Sequence, residues 1–174
     1  MEVATMIKEL FRAAQTGDSQ RVKELLEEDA SYANAENEEG LTVLGYAAHF
    51  GHADVVALLL DNGADLQALS HSKVSYIPSN TALHAAIAGE GSMEVIRHLL
   101  ERGAQTDICD SNGHTCLHTA AFHDDRVEVI RMLIAYGAQV NERAKNEGQL
   151  TPLKLALEKG NANVAELLRQ HGAV

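Results

Sequence analysis

The chain has 174 residues, 45% of them hydrophobic but only 4% aromatic, and its 14 basic and 25 acidic residues give a formal charge of −11. Such a field repels phosphates, which disfavours nucleic acid and anionic membrane as partners, and no apolar run approaches bilayer-spanning length. Glu2, Lys8 and Glu9 interrupt the N-terminal stretch, so it does not read as a signal peptide, and with only Cys109 and Cys116 present a reducing cytoplasm with free thiols is expected.

Residues 2–16 carry Val3, Met6, Ile7, Leu10 and Ala14 at helical spacing, and Gly17-Asp18 ends that helix. A second helix is expected from residue 19 or 20 to residue 28 through Val22, Leu25 and Leu26, followed by Asp29-Ala30. Residues 1–39 hold ten acids against four bases, and Glu36, Glu38 and Glu39 crowd the next loop, first of all as a solvated face, with an electrostatic docking patch as the alternative.

At Thr42 a pattern begins that recurs at Thr81, Thr115 and Thr151, in steps of 39, 34 and 36 residues. Each copy opens Thr-x-Leu and closes on Gly-Ala, at Gly63-Ala64, Gly103-Ala104, Gly137-Ala138 and Gly172-Ala173. Asp29-Ala30 stands where this closure would fall in the first segment, which lacks the Thr-x-Leu opening. A near-constant period of this size marks a stacked repeat array. Threonine suits a helix N-cap, and Pro152 fills the position after it in the last copy, where no donor is needed. A short inner helix with small residues should follow, as at Ala47-Ala48, Ala86, Ala120-Ala121 and Ala156. An outer helix with paired aliphatics comes next, as at Leu99-Leu100 and Leu133-Ile134, and the glycine supplies a left-handed residue at its end. The segment between each glycine and the next threonine is then a projecting finger. Inner helix 43–50 and outer helices 53–62, 93–102 and 127–136 are expected, with long fingers at 70–80 and around 143–148.

Thr81-Ala82-Leu83-His84-Ala85-Ala86 and Thr115-Cys116-Leu117-His118-Thr119-Ala120 each match five of six positions of Thr-Pro-Leu-His-x-Ala, the signature of the ankyrin repeat, and the chain resembles that family. The copies at Thr42 and Thr151 lack the histidine. The resemblance implies an all-α solenoid of about five helix-turn-helix units with projecting hairpin fingers. These form a single domain, 1–174, made of an N-terminal capping repeat 1–36, repeats 37–69, 70–109 (with the long finger) and 110–143, and a C-terminal capping repeat 144–174. It further implies non-catalytic recognition of a partner protein, without a cofactor, on the concave surface of fingers and inner helices, by a chain that is a monomer in isolation. Carried onto this sequence, the contact positions are Glu39, Leu41, His49, Phe50, Asn112, His114, Phe122 and His123, to which the long finger adds Tyr76 and Ile77. In the family the signature histidine is a structural hydrogen-bonding residue.

Cys109, His114, Cys116 and His118 are all zinc-ligand types, so an alternative reading is a metal sensor or a metal-dependent enzyme. Their Cys-x4-His-x-Cys-x-His spacing matches no common structural zinc pattern, and each residue has a place in the repeat. His84, His118 and the Asp124-Asp125 pair invite a catalytic reading, yet no nucleophile elbow, phosphate-binding glycine loop or His-Glu-x-x-His motif accompanies them, and no enzymatic activity is expected. Residues 133–141, ending at Asn141, resemble the segment where some ankyrin repeats are hydroxylated on asparagine, although an asparagine there also serves the hydrogen bonding of the finger.

Overall fold

The computed structural model describes residues 2–174; Met1, the first residue of the expected capping repeat, lies outside the described residues. Among the described residues the structure is all-α, as expected, with ten α-helices, one 3-10 helix and no strand beyond an isolated antiparallel bridge between Glu36 and Thr42. The helices are α1 (Val3–Thr16), α2 (Ser19–Glu28), α3 (Val43–His49), α4 (Ala53–Asp61), α5 (Ala82–Ala88), α6 (Met93–Glu101), α7 (Cys116–His123), α8 (Val127–Ala135), α9 (Pro152–Lys159) and α10 (Ala162–Gln170).

All four repeat threonines cap an inner helix. Thr42, Thr81, Thr115 and Thr151 have extended backbones, and their hydroxyls accept the N–H of Gly45, His84, His118 and Lys154 at 3.0, 3.4, 3.4 and 3.4 Å. Where the third residue is histidine, the bond is returned: the Nδ1 atoms of His84 and His118 accept the backbone N–H of Thr81 and Thr115 at 3.4 and 3.2 Å. Imidazole thus takes the part that Glu or Gln plays in an ordinary capping box. Glycine and lysine at the same place leave only half of it at Thr42 and Thr151.

The outer helices end as the sequence requires. Gly63, Gly103, Gly137 and Gly172 have φ of 93°, 100°, 98° and 89°. At the first of them the Gly63 N–H donates to the Leu60 carbonyl at 3.1 Å and the Ala64 N–H to Leu59 at 3.0 Å, the two bonds of a Schellman closure. Asp29-Ala30 is not such a closure. Asp29 is extended at φ −153°, and its carboxylate accepts the N–H and hydroxyl of Ser31 at 2.9 and 2.7 Å, starting the 3-10 helix Ala30–Asn34. A β-carbon makes the left-handed conformation costly, so the aspartate caps forward instead.

The contacts gather the chain into two compact units, one reaching to Ala104 and one spanning Gln105–Val174. In the first, α1, α3 and α5 pack side by side as an inner layer, backed by α2, α4 and α6. Buried Ala47, Ala48, Ala85 and Ala86 allow α3 and α5 their close approach, and Leu10, Leu25, Leu59, Leu83, Ile96 and Leu99 fill the interior. In the second, α7 lies against α9 and α8 against α10 around fully buried Leu117, Ile130, Leu133 and Leu168. Truncating one of these leucines to alanine removes a whole buried side chain, a loss of about 2–5 kcal/mol.

Each unit also fixes its fingers by backbone. In the first, the His71 N–H donates to Gly40 O and the Lys73 N–H to Glu39 O, both at 2.9 Å; in the second, the Lys145 N–H donates to Gly113 O at 2.8 Å. The long finger is pinched at its neck: Ser70 N–H donates to Asn80 O at 2.9 Å, Asn80 N–H to buried Ser70 Oγ at 3.0 Å, and Ser72 N–H to Ser79 Oγ at 3.0 Å.

Candidate protein-interaction surface

The inner layer of the first unit carries a row of rings. Phe11 of α1 meets Tyr46 of α3 edge-on with centroids 5.2 Å apart, Tyr46 meets Phe50 at 5.1 Å, and Phe50 meets His49 at 4.9 Å. Phe11 is buried, Tyr46 and Phe50 are half-buried, and His49 is exposed. Phe50 is therefore partly framework: it is the C-cap of α3, and its ring rests on Tyr46, one helical turn earlier.

The finger bearing Glu39 and Leu41 is held from within by Asn37, whose side-chain oxygen accepts both of their N–H groups at 3.0 Å. Glu39 is exposed and Leu41 half-buried. Between this finger and α1 lies a cleft of about 520 Å³ with Phe11 and Tyr46 at its base; Ile7, Lys8 and Arg12 of α1 form one side and Glu36, Glu38 and Glu39 the other. Lys8 and Glu38 face each other at 3.8 Å with both side chains largely in solvent. Glu36 is hydrogen-bonded to His71 at 2.6 Å. On the long finger Tyr76 is 84% exposed and Ile77 half-buried in a turn closed by its N–H on Val74 O at 3.1 Å.

In the second unit Asp110 organises the finger, its carboxylate accepting the N–H of Asn112 at 2.9 Å and of His114 at 3.0 Å. Asn112 is exposed, while the half-buried His114 ring stacks on His118 at 5.5 Å and 12°. At the end of α7, Phe122 is 43% exposed beneath the Lys159 ammonium, which sits 4.2 Å from the ring centroid, and His123 is exposed beside it. Of the ten positions expected to contact a partner, the structure joins Glu39 with Leu41 on one finger, pairs His49 with Phe50, and sets Phe122 next to His123. Helix α1 falls where the sequence predicts a helix over residues 2–16, but it has no Thr-x-Leu opening to mark it as a contact element, and of the cleft beside it only Glu39 is among the expected positions. The signal present was Phe11, a third phenylalanine in a core of small aliphatics.

Of the residues with metal-ligand chemistry, His118 has both ring nitrogens hydrogen-bonded within the repeat. Cys116 is fully buried in the first turn of α7. The His118 ring uses Nδ1 on Thr115 and donates from Nε2 to the Leu150 carbonyl at 2.8 Å, and burial holds it below the ordinary histidine pKa. Burial pushes the Cys109 thiol up, against the pull of nearby Lys145. Among the described residues no group of three or more His, Cys, Asp or Glu is arranged to hold a metal ion. The Asp125 carboxylate accepts the Val164 N–H and the Asn163 side-chain amide, both at 2.9 Å, at the start of α10. Asn141 donates to Gly172 O and accepts from the Val174 N–H, both at 3.0 Å.

Helix pairs that open on a threonine cap, close on a left-handed glycine and are joined by bonded fingers define a repeat protein built from one recurring unit. The family model for ankyrin repeats in three copies matches residues 10–108, 67–144 and 83–174, and the chain belongs to the ankyrin-repeat family. It is 34% identical over 106 residues to a mouse (Mus musculus) protein named ankyrin repeat and SAM domain-containing protein 6, covering 61% of this chain and 11% of that one. It is 38% identical over 98 residues to a transient receptor potential cation channel subfamily A member 1 homolog of Caenorhabditis elegans, covering 56% and 8%. A putative ankyrin repeat protein of fowlpox virus is 36% identical over 135 residues, covering 76% and 38%. The chain thus spans about a tenth of the length of the first relatives it matches. Ankyrin repeats are generally protein–protein interaction modules and typically non-enzymatic. No helix among the described residues is long and apolar enough to cross a membrane.

Proposed function

We propose that this chain is a non-catalytic recognition module that binds a partner protein through its fingers and the exposed ends of its inner helices, as a monomer in the cytoplasm. The contact positions are Glu39, Leu41, His49, Phe50, Tyr76 and Ile77 in the first unit, and Asn112, His114, Phe122 and His123 in the second. The observation that supports this most is where large rings meet solvent. Tyr76 at a finger tip and Phe122 at the end of an inner helix are 84% and 43% exposed. Small aliphatics close the interior without them. Exposed aromatic anchors flanked by polar groups, here His123 and Lys159 beside Phe122, are the makings of an interface hot spot.

The test is photo-crosslinking from defined sites in the full chain. A crosslinking residue at His49, Tyr76 or His123 is expected to capture one and the same partner, whereas one at Arg97 or Glu128, on outer helices, is expected to capture none. Capture from the outer positions alone overturns the reading. With that partner in hand, Tyr76→Ala and Phe122→Ala should each weaken binding at least tenfold and leave the urea melt nearly unchanged. Phe50→Ala should weaken binding and also lower stability, because its ring packs on Tyr46.

A further inference from the structure

The charge of the chain is concentrated in one unit. Residues 1–104 hold 16 acids and 7 bases, while residues 105–174 hold 9 and 7, so nine of the eleven excess negative charges belong to the first. Within that unit the cleft between α1 and the first finger combines an apolar base, Phe11 and Tyr46, with a rim of Glu36, Glu38 and Glu39. Its volume of about 520 Å³ is within the range of ordinary ligand sites.

The rim is unequal in what it has available. Glu36 is already bonded to His71. Glu38 meets only the loose, exposed Lys8 pair at 3.8 Å, which opens at little cost. Glu39 is exposed, and its backbone N–H is fixed by Asn37, so its position is set before any partner arrives. The opposite side carries Lys8 and Arg12, which repel a cation and favour carbonyl or carboxylate oxygen. The half-buried Tyr46 ring in the lining offers an apolar surface for a side chain next to the cation.

From this we infer that the cleft receives a basic segment of the partner protein, with an arginine or lysine directed at Glu38 and Glu39, a neighbouring aliphatic side chain over Phe11 and Tyr46, and main-chain carbonyls toward Arg12. The inference rests on the recognition reading above and names the chemistry of what is recognised. Specificity comes from the fixed separation of an acidic finger and an apolar base. The surplus charge of the unit speeds encounter with a basic segment.

The experiment uses the full chain and a positional-scanning dodecapeptide library of fluorescein-labelled peptides, with binding read by anisotropy. Peptides with Arg or Lys fixed beside Leu or Ile are expected to bind best, with Asp or Glu at the same positions binding worst. Glu38→Gln with Glu39→Gln should weaken the best peptides at least tenfold, and Ile7→Asn at the cleft wall at least fivefold. Glu27→Gln with Glu28→Gln removes the same charge from exposed sites on α2 and should change binding less than twofold. Equal losses from the two double variants reduce the effect to the net charge of the unit and overturn the proposal, as does a library without basic preference. A partner that crosslinks at His49 and Tyr76 yet is indifferent to Glu38→Gln with Glu39→Gln would overturn this inference and leave the recognition reading standing.

Discussion

Asn141 holds the loop after the last helix by both ends of its amide, donating to the Gly172 carbonyl and accepting from Val174 N–H, each at 3.0 Å. The same clamp recurs. Asn34 donates to Gly63 O at 2.9 Å and accepts from Asp65 N–H at 2.7 Å, and Gln67 donates to Gly103 O at 2.8 Å. At three of the four closing glycines, a side-chain amide from the preceding repeat therefore satisfies a carbonyl that the end of the helix leaves over.

The fourth place in this series is Asp107, four residues after Gly103 as Gln67 is after Gly63 and Asn141 after Gly137; a carboxylate cannot donate to the Gly137 carbonyl, which accepts instead from the Gln139 side-chain amide at 3.2 Å. Asp107→Asn is expected to add a second donor at this carbonyl and raise stability by up to about 0.5 kcal/mol, and Asn141→Ala to lower it by about 1 kcal/mol. Urea denaturation of the two variants checks both signs, and a loss from Asp107→Asn would contradict the equivalence of these positions.

Glycines with the same backbone angle should differ in what they tolerate. Gly113 has φ 80°, and a β-carbon there would come within 2.3 Å of the Lys145 carbonyl oxygen, whereas at Gly137, φ 98°, nothing lies within 4 Å. Gly137→Ala should cost only the left-handed strain, about 1–2 kcal/mol. Gly113→Ala adds the displacement of a bonded finger and should cost clearly more in the same urea melts. Equal losses would mean that the two fingers yield freely.

His118 gives the second unit a pH dependence of defined sign. Burial lowers its pKa in the folded protein, so when pH falls below the ordinary histidine value, about 6.5, the unfolded chain takes up a proton that the folded one refuses. Stability is complete above that pH and declines as pH falls toward the depressed folded value, by at most about 1.4 kcal/mol per pH unit. Urea melts at pH 7.5 and 5.5 should show a steeper loss for the wild type than for His118→Gln.

The two thiols should react in two stages. Cys109 is half-buried and Cys116 fully buried, and neither is in a disulfide. With an aromatic disulfide reagent, one thiol is expected in the native protein and the second only after denaturation. Because burial raises the Cys109 pKa, the first stage should be slow at neutral pH and quicken as pH rises. Cys109→Ser should abolish it.

The framework was legible because its signals are local. A threonine three residues before its bonding partner, or a glycine after a run of aliphatics, determines a helix end through atoms a few residues apart. The expected inner helix 43–50 is observed as Val43–His49 with Phe50 as its cap, a difference of one residue. Asp29 misled because Gly-Ala was matched by position, whereas its carboxylate dictated a forward cap on Ser31. The cleft beside α1 depends on where a finger folds back over a helix some thirty residues earlier, and no local pattern encodes that. Tyr46 and Phe50 are four apart, a spacing that puts their rings on one helix face, so the contact position Phe50 is also framework.

The pinched neck of the long finger, where Ser70 and Asn80 bond to each other twice, separates the loop tip from the stack that carries it. Lys73 is the last residue before the tip that is tied to the preceding finger, so residues 74–78 can be exchanged, lengthened or shortened, at the expense of the contacts proposed for Tyr76 and Ile77, while both arms of the neck stay seated. Lengthening a flexible loop is thermodynamically cheap, about 0.6 kcal/mol for each doubling. This stretch is accordingly an insertion port, where a foreign epitope or a binding loop from another protein can be grafted without redesigning a helix.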